Sequence, residues 1–68
     1  MYDFRMIYGG VIVYNKESAM VIISKTIDGY GYTDSEGYHD EGYATSLQCL
    51  QAVIEGLTAG AIIPIEKY

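Results

Sequence analysis

Residues 45–60 read TSLQCLQAVIEGLTAG, and this stretch decides the fold. Thr45 followed three residues later by Gln48 is a capping-box pattern, and Gly60 suits the left-handed position just past a helix end. Leu47, Leu50, Val53, Ile54 and Leu57 recur at helical spacing, whereas Gln48, Gln51 and Glu55 face away. One apolar stripe needs one partner layer, so the helix is expected to pack a single side onto a sheet. Gly56 sits inside it at a cost of up to about 1 kcal/mol relative to Ala, which points to close approach of the helix to a strand. Cys49 lies beside the stripe and is expected to be a buried, inert thiol.

The sheet that this helix requires is written on both sides of it. After Gly60, residues 61–65 read as a last strand, and Pro64 assigns it to an edge because proline cannot donate to a ladder. Upstream, residues 2–8 are aromatic and β-branched, Gly9-Gly10 interrupts them, and residues 11–14 resume the same composition. That is two short strands, or one long strand with a glycine bulge. Asn15-Lys16-Glu17-Ser18 is a polar turn, and residues 19–27 form the longest strand candidate. Within it Val21, Ile23 and Ile27 point one way and Met20 and Ile22 the other, so both faces are apolar and the strand is expected at the centre of its sheet. The reading is an α+β domain: a four- or five-stranded, mainly antiparallel sheet with one helix on one face, in the order β-β-β-(β)-α-β.

Residues 28–43, DGYGYTDSEGYHDEGY, hold four Gly-Tyr pairs and five of the nine acids, a composition of turns and short exposed strands. Tyr30 and Tyr32 share a face if the piece is extended, and Asp34-Ser35-Glu36-Gly37 supplies a turn before Tyr38. A fourth strand followed by a loop satisfies it. Three readings of its chemistry stand. It is a solvated acidic loop; or a recognition surface for a basic protein, with tyrosine rings between the acids as rigid anchors; or a divalent-metal or small-ligand module. The acids Asp28, Asp34, Glu36, Asp40 and Glu41 do not follow the spacing of a calcium loop, so no metal site is assigned. The residues expected to meet a partner are Tyr30, Tyr32, Asp34, Glu36, Tyr38, Asp40, Glu41 and Tyr43. His39 reads as a solvated loop histidine, because no serine or cysteine nucleophile stands at a recognisable spacing from it. The Gly-Tyr pairs do not match a phosphate-cradling glycine loop either.

Composition sets the outer limits. A chain of 68 residues has room for one domain, residues 1–68, and one small core. Such domains gain only about 3–5 kcal/mol from the core alone and usually add a disulfide, a metal or a second subunit. A single cysteine makes no internal disulfide, and one Cys with one His makes no recognised zinc spacing. Half of the residues are hydrophobic, more than so small a body can bury, so self-association as a homodimer or larger is expected. A net charge of −5 repels phosphate backbones and anionic lipid, disfavours direct nucleic-acid binding, and favours a basic protein partner. Asp3 and Arg5 break up the first ten residues, the longest apolar run is residues 19–23, and a cytoplasmic, non-membrane protein is expected.

Three features carry a likeness to a known family: a strand ending in Asp28-Gly29-Tyr30, Gly37 and Gly42 five apart around His39, and the helix TSLQCLQAVIEGL with its early Thr45. Through them, residues 19–68 resemble the HicB antitoxins, whose core is a partial ribonuclease H fold of three antiparallel strands, a helix and a further strand. The two strands before residue 18 are extra, and the DNA-binding tail of many such antitoxins has no counterpart, so no autoregulatory role is expected. True nucleases of that fold hold two metals with a carboxylate cluster. Here the front strands offer only Asp3, and the helix presents Gln48 and Gln51 with Glu55 alone. The resemblance implies a non-catalytic protein, without cofactor, that inhibits or neutralises a basic nuclease or nucleic-acid-binding complex by covering its active surface. Small acidic phage-encoded inhibitors of host defence are similar in size and charge.

Overall fold

The computed structural model describes residues 2–16 and 18–66. Five strands precede one helix: β1 (Asp3–Ile7), β2 (Gly10–Asn15), β3 (Ser18–Thr26), β4 (Gly29–Asp34), β5 (Gly37–Tyr43) and α1 (Ser46–Ala59). The strands form one antiparallel meander in chain order, with β3 at its centre and β1 and β5 at its edges. The first strands are separate, turned at Tyr8-Gly9, where Gly9 takes φ +79°. Among the described residues no helix is long and apolar enough to cross a membrane.

The helix begins and ends where its caps dictate. Thr45 Oγ1 accepts the Gln48 N–H at 3.1 Å, the first half of a capping box, while Gln48 Oε1 reaches one residue past the N-cap and accepts the Ala44 N–H at 3.2 Å. Gly60 closes the other end at φ 79°. The helix lies over β2 to β5 and leaves β1 overhanging. Val11 and Val13 of β2, Val21 and Ile23 of β3, and Cys49, Leu50, Val53 and Leu57 of α1 make the core, closed at one end by Met20 and Ile62.

Several expectations change here. The buried stripe runs through Cys49, Leu50, Val53 and Leu57; Leu47 is 61% exposed and Ile54 only half-buried, because the helix is rotated to turn that line toward overhanging β1. Met20 is buried in the core instead of facing out: the β2–β3 register passes from Val13↔Val21 to Tyr14↔Ala19, leaving Met20 as the extra residue of a bulge that breaks the alternation. Ile27 is 99% exposed because it occupies the β3–β4 turn, which Thr26 fastens by donating from Oγ1 to the Gly29 carbonyl and accepting the Asp28 N–H. Residues 37–43 form a fifth strand where a loop was expected.

Residues 61–65 form an irregular strap, not a last strand. The strap crosses the end of the sheet where β4 stops short of β3. Ile65 N–H donates to the Met20 carbonyl at 2.8 Å, Glu66 N–H to the Ala19 carbonyl at 3.2 Å, and Ser35 N–H to the Ile63 carbonyl at 3.1 Å. Pro64 stands between these bonds, where its missing donor leaves nothing unsatisfied. The strap also explains Gly56. A Cβ there would lie 2.5 Å from Ile62 Cδ1, so the close approach is to the strap and not to a strand.

Candidate functional site in the acidic hairpin

The β4–β5 hairpin gathers all eight residues expected to meet a partner, but divides them by role. Its turn is built by Asp34. Asp34 is 6% exposed, and its Oδ1 accepts the Glu36 N–H at 2.8 Å, an Asx-type closure of the two-residue turn Ser35-Glu36. Gly37 follows at φ +114°, a backbone that suits glycine. The same Asp34 Oδ1 lies 3.0 Å from His39 Nε2.

His39 is therefore not a solvated loop residue. It stands opposite Tyr32 in the β4–β5 register, and the two rings stack at 4.8 Å with 25° between their planes. The signal was present in the sequence: Asp34 and His39 flank a turn of two residues, and a strand beginning at Gly37 brings position 39 opposite position 32. Tyr30 and Tyr43 are cross-strand partners, and with Tyr32 they pack against the core. Burial, aided mainly by the charge of Glu41, raises the pKa of both Tyr32 and Tyr43 above the ordinary phenol value. Tyr38 points to the open face. Its Oη would lie 2.6 Å from a Cβ at Gly31, so that glycine is the bed on which the ring rests. Glu36, Asp40 and Glu41 are exposed.

Two chemical capacities follow. Asp34, Glu36 and His39 each offer a ligand atom within 4.8 Å of one another. Ligands on one ion at about 2.1 Å lie no more than about 4.2 Å apart, and Asp34 Oδ1 already holds the turn and the histidine. An ion would therefore need Glu36 to swing inward and displace part of that bonding. The second capacity is a charged, rigid edge: exposed Glu36 in the turn and exposed Asp40 and Glu41 on β5, in a hairpin whose Tyr30, Tyr32 and Tyr43 rings pack against the core. Cys49 adds no nucleophile, because its buried Sγ donates to the Gly31 carbonyl at 3.6 Å and burial pushes the thiol pKa to about 11.

No family model, no curated protein and no solved structure matches this chain.

Proposed function

We propose that this is a non-catalytic protein that binds and inhibits or neutralises a basic protein, a nuclease or other nucleic-acid-binding complex, through the β4–β5 hairpin. The role is that of an antitoxin or of a phage inhibitor of host defence, carried out in the cytoplasm by a homodimer or larger assembly. The observation that carries the reading is the exposure of Glu36, Asp40 and Glu41 on an ordered edge hairpin backed by core-packed tyrosines. Such a surface steers a cationic partner by long-range attraction and meets it without first having to order a loop. Tyr38 adds an exposed ring on the opposite face.

Asp34 belongs to the turn, so the test changes only Glu36→Gln, Asp40→Asn and Glu41→Gln together. With a partner captured on the parent protein, the triple variant should associate at least tenfold more slowly at low salt, and its rate should depend less on salt. Association unchanged at low salt would show the acids to be a solvated face. A second reading, a divalent-metal or small-ligand module, is favoured only by the Asp34, Glu36 and His39 grouping. A melting midpoint raised by calcium, magnesium or zinc in the parent, and not in His39→Ala, would mark that reading instead.

A further inference from the structure

The two edges of the sheet are chemically different. β5 is irregular: its register shifts between Tyr30 and Tyr32, Gly42 takes φ +68°, and its charges Asp40 and Glu41 have one sign. A copy laid against it would meet like charge, which is how natural edges are kept from pairing. β1 has none of these guards. It pairs with β2 residue by residue from Asp3 to Ile7 without a bulge, is exposed along its whole length, and carries one acid and one base.

Those charges make β1 complementary to itself. In an antiparallel pair of β1 strands with Phe4 opposite Phe4 of a second copy, Asp3 of each copy stands opposite Arg5 of the other. Tyr2 then stands opposite Met6. Paired residues share a face, so both Asp–Arg pairs lie on the open face beside Ile7, and Tyr2, Phe4 and Met6 lie on the helix face. There Phe4 and Met6 are 56% and 67% exposed. Tyr2 and Phe4 form the floor of an open groove of about 980 Å³, walled by Leu50, Ile54 and Leu57 of the helix. Leu47 stands one heptad before Ile54, on the same line of the helix, and is exposed as well.

We propose that two copies of this chain pair through β1 in this register, continuing the sheet across a twofold axis at Phe4 and closing the groove between them. The inference rests on the self-association proposed above and not on the acidic hairpin. The occupant is a second copy because one short strand supplies both halves of the charge complementarity and the apolar centre.

Sedimentation tests it with Asp3→Lys, Arg5→Glu and the double swap, each first compared with the parent by far-ultraviolet circular dichroism. At ~100 μM, which registers interfaces stronger than about 5 kcal/mol, the parent should sediment at twice the 7.5 kDa of one chain. Each single variant should weaken dimerisation at least tenfold by setting like charges across the axis, and the double swap should restore it to within about threefold. A parent that is monomeric at this concentration overturns self-association altogether. A dimeric parent whose single variants dimerise equally well, or whose double swap fails to recover, overturns the β1 register while leaving the dimer to another surface.

Discussion

Gly56→Ala sets two effects of known size against each other. Alanine in mid-helix is favoured over glycine by about 1 kcal/mol. The new Cβ, however, would fall 2.5 Å from Ile62 Cδ1 and 2.6 Å from Ile62 Cγ1, both inside van der Waals contact. A χ2 change moves only Cδ1, whereas moving Cγ1 takes a χ1 change, to which a β-branched side chain in a packed site is stiff. Nor can the strap back away freely, because Ala61 and Ile62 both donate N–H bonds to the Gly56 carbonyl, at 2.9 and 3.1 Å. Overpacking of this kind costs about 1–3 kcal/mol, so the clash should win. The net loss should be about 1 kcal/mol, read as a fall of about 4–8 °C in melting temperature for a domain of this size. The decisive arm is the same substitution in an Ile62→Ala background, held folded with a stabilising osmolyte. With Cγ1 and Cδ1 gone, helix propensity alone remains, and Gly56→Ala should now stabilise. If it stabilises in both backgrounds, the glycine is not there to admit Ile62.

Two further substitutions probe the hairpin and the core. Asp34→Ala removes the acceptor of the Glu36 N–H and the partner of His39, and should cost about 1–3 kcal/mol in urea unfolding, with Asp34→Asn losing less because an oxygen remains; equal losses would count against the turn-closing role. Cys49 has its pKa raised by burial from 9.0 to about 11, so the folded state holds the proton more tightly than the unfolded one. Its contribution is full below pH 9, declines as pH rises from 9 to 11, and amounts to roughly 2–3 kcal/mol at 1.36 kcal/mol per pKa unit. The parent should therefore lose more stability over that window than Cys49→Ala does, and parallel losses would contradict the thiol's role.

How much was legible in the sequence differs from one element to the next, for physical reasons. The helix was readable to its ends because Thr45, Gln48 and Gly60 act through local backbone bonds that need no tertiary context. The central place of β3 was readable from its length and its apolar content, although Met20 and Ile27 do not take the faces that alternation gives them. Which line of the helix is buried was not: Leu47 and Cys49 lie about 160° apart on the helical wheel at 100° per residue, and both flank a stripe centred on Leu50 and Val53. The choice fell to the overhang of β1, a property of the sheet's width. Met20 was misplaced because alternation assumes a regular ladder, and the bulge that breaks it arises from pairing with β2.

The hairpin shows the same limit in its chemistry. Composition marked residues 28–43 as acidic and aromatic, but could not separate acids that build the turn from acids that face solvent. Asp34 is the first kind, held by Glu36 and His39, while Glu36, Asp40 and Glu41 are the second. That division bears on assembly. Like-signed charges and a shifted register close β5 to a second copy while leaving it open to a cationic chain, whereas β1 offers an acid and a base in a self-complementary order. If both proposals hold, the edges do not compete. A β1-paired dimer would carry its two acidic hairpins at the far ends of a ten-stranded sheet, able to engage two basic partners or two sites on one. Breaking the β1 pair should then weaken capture of a bivalent target through lost avidity without altering the association rate of a single hairpin.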